Sequence, residues 1–371
     1  MNDIQEVVAA VAGELVGSGA ERGLQVAAYV NQRPVVDVAA GVADPAAGRP
    51  VRSDTLFYNW SIGKGATATL LHRLVDAGAL GYDTRVADVW PEFARHGKQA
   101  ITVRQVLNHS AGVPGLPSDV TVESVCNWEA MVAALEDAQP WWEPGTKVGY
   151  HAYTFGHLVG EIVRRVRGRA LGDVLDELTA DIGRPGEIRF GIPAAEVGAT
   201  VDLATLEDAP SDGDRSVGMP ADLPMFRAVP PAIMPNAALG NDPRVIAADI
   251  PAGAKVTARA LARLYAGWLG PVDGARLVSA ERLGAASAES SSGTDQVFGN
   301  ESRWGLGFAL GLPWDDAGSP RVFGMAGAGG SWAGADPVRG VAVAVTRNVM
   351  GMDFATVERV VRAVLDAVDR G

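Results

Sequence analysis

The stretch "NWSIGKGATATLLHRLVDAGAL", residues 59–80, places Ser61 three residues ahead of Lys64 where an amphipathic helix is expected to begin. Residues three apart on a helix are neighbours, so Oγ and Nζ would share one face. A lysine desolvated enough to be partly neutral can take the serine's proton and turn a weak nucleophile into an active one. The structural alternative is a serine at a helix start beside a solvated lysine. Position argues for chemistry, because a cation in the first helical turn opposes the helix dipole and is mildly unfavourable. Composition agrees: only Lys64, Lys98, Lys147 and Lys255 are lysines among 32 basic residues, and arginine cannot act as a base.

At 371 residues and 47% hydrophobic content, with mean hydropathy +0.09, the chain can bury a large core as one domain or two interleaved ones. A net charge of −12 and a pI near 4.9 argue against nucleic acid and against an anionic membrane, both of which would repel it. The start, "MNDIQEVVAAVAGELVGSGAERG", has apolar residues at helical spacing (Ile4, Val7, Val8, Val11, Leu15) rather than a basic segment and an apolar run, so it reads as a helix and not an export signal. No apolar run reaches the roughly 18 residues that would span a bilayer. The single Cys126 rules out internal disulfides and, with no identifiable partner, reads as a small buried hydrophobe. Cytoplasmic residence is the expectation.

Along the chain, "GLQVAAYVNQRPVVDVAAG" gives two β-rich runs around "NQRP", a hairpin. Residues 61–77, "TVRQVLNH", "NWEAMVAALEDA", "TFGHLVGEIVRRVRG", "LGDVLDELTADI" and later "TARALARLYAGWLG" carry helix-period apolar positions. Residues 183–254 are rich in Pro, Gly and Asp without a stable period and read as a lid or pocket wall, in which Met225, Phe226, Ile233 and Met234 either cover an acyl chain or fill the core. "SAESSSG", residues 287–293, reads as an exposed loop. "RWGLGFALGL", "RVFGMAGAGGSWAGADP" and "GVAVAVTRN" look like strands, and "DFATVERVVRAVLDAVDRG" is a closing amphipathic helix.

A second stretch, "WWEPGTKVGYHAYTFGHLVGEIV", joins Ser61–Lys64 and "LNHSAGVPGLP", residues 107–117, in a recognisable order. Together they resemble the serine β-lactamase and penicillin-recognising superfamily, and most closely its class C-like branch, with family VIII carboxylesterases and related acyltransferases. The resemblance covers most of the chain. It implies that Tyr150 sits by the serine and lysine, although as a residue alone it also reads as a core tyrosine after a Pro-Gly turn. The asparagine that often follows this tyrosine by two residues is Ala152 here, which weakens any inference of the usual contact to a substrate amide. His151 would line the pocket or support it from behind.

The third motif departs most from the resembled pattern, which has Lys-Thr-Gly or His-Gly-Gly where this chain has Met325, Ala326 and Gly327. A methionine supplies no charge to hold a substrate carboxylate, so the substrate is expected to be neutral and apolar. The resemblance implies an oxyanion hole made of the Ser61 and Ala328 N–H groups, with Met325, Gly327 and Trp332 among the substrate contacts. The glycines also fit a tight turn between strands, close to a reacting carbonyl or not.

Other catalytic sets fare worse. No Gly-x-Ser-x-Gly elbow is present, His72 and His157 fall where helix packing is the default, and His109 matches a turn. "HAYTFGH" spaces its histidines wrongly for a metal pair on a helix face, and "GMAGAGGS" lacks the lysine and helix of a phosphate cradle, so neither metal nor cofactor is expected.

The expected fold is α+β: an antiparallel sheet with terminal helices from residues 1–58 and 270–371, and a mostly helical insert from 59–269. The expected function is a carboxylesterase acting through an acyl-enzyme on Ser61, with no partner beyond a small acyl substrate; the sequence sets no oligomeric state. The alternatives are an acyltransferase or amide-forming enzyme, and a catalytically silent binding protein, which the trio Ser61, Lys64 and Tyr150 argues against.

Overall fold

The computed structural model describes residues 2–209, 220, 222–315, 321–351 and 353–370. Part of the segment expected to form a lid, residues 210–219 and 221, therefore lies outside the described residues.

The first β-rich run becomes β1 (Gly23–Val30) and the second β2 (Arg33–Asp44), turned by Asn31 and Gln32, both at positive φ (49° and 62°). Two central residues at positive φ match the twist of the flanking strands. After the short β3 (Arg49–Pro50), β4 (Phe57–Trp60) leaves this sheet and pairs instead with β7 (Gly253–Val256), which also pairs with β5 (Ile188–Arg189). A separate parallel pair joins β6 (Glu207–Asp208) to β14 (Val349–Met350). The chain's last third supplies β8 (Ser291–Thr294), β9 (Glu301–Trp304), β10 (Ala309–Leu310), β11 (Phe323–Gly327), β12 (Ser331–Asp336) and β13 (Val341–Arg347). These assemble with the first hairpin into a nine-stranded antiparallel sheet in the order β3-β2-β1-β13-β12-β11-β10-β9-β8.

Residue size divides the labour of the sheet's two faces. Along β13, Val341, Val343 and Val345 point to one face and Ala342 and Ala344 to the other. The valine face packs under α1 (Asn2–Gly17) and the closing helix Ala355–Arg370, through Ile4, Val8, Val357, Val360, Val361 and Val364. The alanine face, extended by Ala27, Ala333 and Ala335, lets the helix Ala258–Leu269 lie close against β1, β12 and β13. This helix belongs in sequence to 59–269 and in space to the sheet. Beyond it lie α2 (Gly63–Asp76) and α3 (Thr154–Arg167), packed on each other. The α+β architecture, the hairpin and the two terminal helices agree with the sequence.

"SAESSSG" does not form the expected loop. Its Ser291–Gly293 portion lies in β8, the sheet edge, where Ser291 and Ser292 pair with Trp304 and Arg303 and Ser291 Oγ reaches the Asn108 carbonyl at 2.5 Å. An edge strand needs only one row of backbone partners and tolerates polar side chains, so its sequence carries no hydrophobic alternation.

Candidate active site

β4 runs straight into the serine. At Ser61 the backbone turns sharply: φ is 65°, and the Ile62 N–H donates to the Trp60 carbonyl at 2.9 Å, closing a three-residue turn. Helix α2 then starts at Gly63 with Ile62 as its cap residue and no side-chain capping bond. Ser61 is therefore not a cap, and its hydroxyl is free for other work. Gly63 is required where it stands, because a Cβ there would lie 2.4 Å from the Gly253 carbonyl oxygen.

Nearly all of α2 is buried, and Lys64 with it: the side chain is 0% exposed, and Nζ lies 2.9 Å from Ser61 Oγ and 3.3 Å from the Ala252 carbonyl oxygen. Desolvation pushes the Lys64 pKa well below its ordinary value, which favours the neutral amine. The same nitrogen sits 4.9 Å from the centre of the Tyr150 ring.

Tyr150 is fixed by its backbone neighbours. Its N–H donates to Asp295 Oδ2 at 2.8 Å, Gly149 N–H donates to the His109 carbonyl at 3.1 Å, and Gln296 N–H donates to the Val148 carbonyl at 3.0 Å. The ring stacks on Trp304 with centroids 5.3 Å apart and planes within 8°. Burial raises the phenol's pKa above its ordinary value, against a hydrogen bond to Ser61 that lowers it. Ser61 and Lys64 from one segment and Tyr150 from another, 86 residues beyond Lys64 in the sequence, are thus brought together.

The other expected contacts are redistributed. His151 is fully buried and does not line a substrate surface: Nδ1 donates to the Gly149 carbonyl at 2.7 Å and Nε2 accepts the Val113 N–H at 3.0 Å. Its backbone N–H in turn donates to His109 Nδ1 at 3.1 Å, which assigns His109 as the neutral Nε2–H tautomer. Burial and the neighbouring His151 and Lys64 push the His109 pKa well below 6.5. Trp332 is also corrected. Strand parity turns it to the valine face, where it packs edge-on with Trp314, away from Ser61. Met325 faces the same side as α2 but is 2% exposed and packed into the core, so it fills space rather than offering a contact. Ala152 is partly buried beside the hydrophobic cluster around Tyr58 and Trp60.

Gly327 touches the site through its backbone: a Cβ there would lie 2.2 Å from the Trp60 carbonyl oxygen and 3.8 Å from Ile62 N. That contact brings β11, and Ala328 just after it, against the Ser61 turn. No backbone carbonyl accepts from the Ala328 N–H among the described residues. The Ser61 N–H differs from expectation, since it donates to the Ala252 carbonyl at 2.7 Å and is not a free donor. Sequence reasoning missed Ala252, Asp295 and Trp304, and nothing in "IPAGAKV", "GTDQVFGN" or "RWGLGFALGL" signals them.

Next to the Tyr150 segment lies a groove of about 1080 Å³ whose lining includes Trp141, Trp142, Phe226, Arg227 and Gln296. Arg227 stacks on Trp141 with 4.3 Å between guanidinium and ring centre. Of the four side chains expected either to cover an acyl chain or to fill the core, Phe226 lines this groove, whereas Ile233 is core and Met225 and Met234 pack against it. Among the described residues no cluster of His, Cys, Asp and Glu could hold a metal, and no helix is long and apolar enough to cross a membrane.

Comparison with known proteins gives the family. The family model described as Beta-lactamase matches residues 8–366. The chain is 33% identical over 348 residues to the esterase/beta-lactamase LipL of Mycobacterium tuberculosis, covering 91% of this chain and 78% of that protein. Among solved structures, a family VIII carboxylesterase superposes with a TM-score of 0.86 at 31% identity, covering 98% of this chain and 97% of the other. A penicillin-binding protein homologue from Caulobacter crescentus superposes at 0.85 and 34%, covering 99% and 98%. With a match over nearly its whole length and the Ser61–Lys64 pair at the head of a buried helix, the chain belongs to the beta-lactamase family.

Proposed function

We propose that the protein is a serine carboxylesterase acting on neutral, apolar esters of small or medium size, in the cytoplasm as its acidic, disulfide-free composition suggests. The observation that carries this reading is Ser61 Oγ at 2.9 Å from the Nζ of a fully buried lysine. Neutral Lys64 takes the Ser61 proton as Oγ bonds to the ester carbonyl carbon. The resulting oxyanion is stabilised by the Ala328 N–H, and by the Ser61 N–H as it exchanges Ala252 O for the new anion. When the C–O bond to the leaving group breaks, the proton passes from the lysine ammonium through the Tyr150 hydroxyl to the departing oxygen, leaving an acyl-enzyme that water resolves by the same steps. Likeness to the LipL esterase and to the family VIII carboxylesterase supports the ester as substrate.

In a second reading, a bound alcohol or amine takes the acyl group from Ser61 in place of water. Product analysis with candidate acceptors present separates the two.

The primary test is intact mass after incubation with a fluorophosphonate and with a panel of acyl esters. One adduct per chain is expected, absent in Ser61→Ala. Steady-state kinetics on a neutral aryl ester and a penicillin of similar reactivity should favour the ester, because Met325 supplies no cation for the penicillin carboxylate. Adduct formation by Ser61→Ala would overturn the mechanism, and a preference for penicillin the substrate class.

A further inference from the structure

The turn that carries Ala328 is gripped from behind by a buried ion pair. Residues 327–331 join β11 to β12, closed by the Gly330 N–H donating to the Gly327 carbonyl at 3.0 Å. Gly329 and Gly330 adopt φ of 107° and 77° and bring no side chain to hold the backbone in place. Arg347, the last residue of β13 and 5% exposed, does so instead: its Nε donates to the Gly329 carbonyl at 2.7 Å, and its backbone N–H donates to Ser331 Oγ at 3.3 Å. Its Nη1 donates to Glu21 Oε1 at 2.5 Å, and Thr356 Oγ1 donates to the same oxygen at 2.5 Å. The guanidinium lies close against two glycines: a Cβ on Gly330 or on Gly351 would lie 2.5 or 2.7 Å from Nη2.

A buried ion pair is a costly way to fasten two terminal helices to a sheet, since apolar side chains of similar volume do this as well or better. What an apolar pair cannot supply is a charged donor aimed at one particular carbonyl of the glycine turn. We propose that Arg347, braced by Glu21, is a positioning residue that holds the 327–331 turn so that the Ala328 N–H faces the developing oxyanion on the Ser61 adduct. This rests on the reading of Ala328 as an oxyanion donor. Through Glu21, which lies between α1 and β1, and Thr356 on the closing helix, the geometry of the hole depends on both ends of the chain.

The test compares kcat/KM for an aryl ester with that for its thionoester, whose sulfur accepts poorly from N–H donors. The ratio is a property of whichever molecules are folded, so low yield does not distort it. One oxyanion donor is typically worth about 10²–10³ in kcat. Arg347→Lys, which keeps the charge but loses the Nε geometry, is expected to lower kcat on the oxygen ester by about tenfold or more, leave KM within about threefold, and reduce the ratio by about tenfold. Glu21→Ala should do the same, whereas Glu21→Gln, which retains an oxygen for Nη1, should keep most of the wild-type ratio. If Arg347→Lys yields no folded protein, the two Glu21 variants decide. Ala328→Pro, which lacks the N–H, is the reference. A wild-type ratio in Ala328→Pro overturns the donor reading, and the role of Arg347 with it. A collapsed ratio there beside wild-type ratios in Arg347→Lys and Glu21→Ala overturns the role of Arg347 alone.

Discussion

Gly327 and the Trp60 carbonyl meet with no room for a side chain between them: a Cβ on Gly327 would lie 2.2 Å from that oxygen. This contact is where β11 touches the end of β4, one residue before Ser61 and one residue before Ala328. Gly327→Ala must push the two strands apart, and displacements of about 1 Å at a reacting centre can cost about 10²-fold. We expect kcat/KM on an aryl ester to fall by about that factor or more. Steady-state kinetics alongside a thermal melt check it, and turnover within a few fold of wild type would show that the strands have slack.

The turn at Ser61 stores strain that a second substitution can read. A non-glycine residue in the left-handed region costs about 1–2 kcal/mol, and both Ser61→Ala and the wild type keep the Cβ that causes it. Ser61→Gly removes it, against the greater entropy of glycine in the unfolded chain. Both variants should be inactive, with Ser61→Gly the more stable of the two by up to about 1 kcal/mol. Urea unfolding of the pair measures the difference, and a more stable Ser61→Ala would mean the turn is relaxed.

The helix period, the hairpin signal and the Ser-x-x-Lys spacing are local properties, and α1, β1, β2, α2 and the contact of Ser61 with Lys64 could be read from them. The faces of the strands could not. Whether Trp332 or Ala333 faces α2 is set by pairing with Val345 and Ala344 of β13, a long-range register that leaves no mark within "GGSWAGADP". The same holds for the Ser61 N–H, whose acceptor Ala252 comes from β7's approach to β4. Adjacency to Tyr150 in sequence leaves open whether His151 lines the pocket or supports it from behind. Its side chain turned inward because two buried backbone groups, Gly149 C=O and Val113 N–H, needed partners.

Lys64 offers a test of base against charge. Lys64→Arg keeps a cation and loses a group that can accept a proton, so kcat should drop by about two orders of magnitude or more. Because burial lowers the Lys64 pKa, the wild-type kcat/KM should climb with pH and reach its plateau well below the ordinary lysine value. A pH–rate profile reports this. An acid limb centred near pH 10 would show that burial does not depress this lysine, and near-normal rates in Lys64→Arg would show that it acts on Ser61 only electrostatically.

A second buried lysine should be visible in stability rather than rate. Lys255, on β7, is 0% exposed, with Nζ 3.0 Å from the Val245 carbonyl oxygen, bonded also to the Phe190 carbonyl, and 4.4 Å from the centre of the Tyr58 ring. Desolvation lowers its pKa to about 7, against the nearby Asp249, which raises it. The unfolded chain therefore binds this proton more tightly than the folded one, and stability rises with pH from about 7 up to the unfolded value near 10.5. Below pH 7 both states are protonated and the folded protein carries the whole desolvation cost. Lys255→Met removes the titration and leaves two carbonyls without their donor, a loss that does not change with pH. The stability of Lys255→Met relative to wild type should thus be most favourable at pH 6 and decline steadily toward pH 10. Urea midpoints at pH 6, 8 and 10 measure it, and a difference that stays constant across that range would mean that Lys255 titrates alike in the folded and unfolded chain.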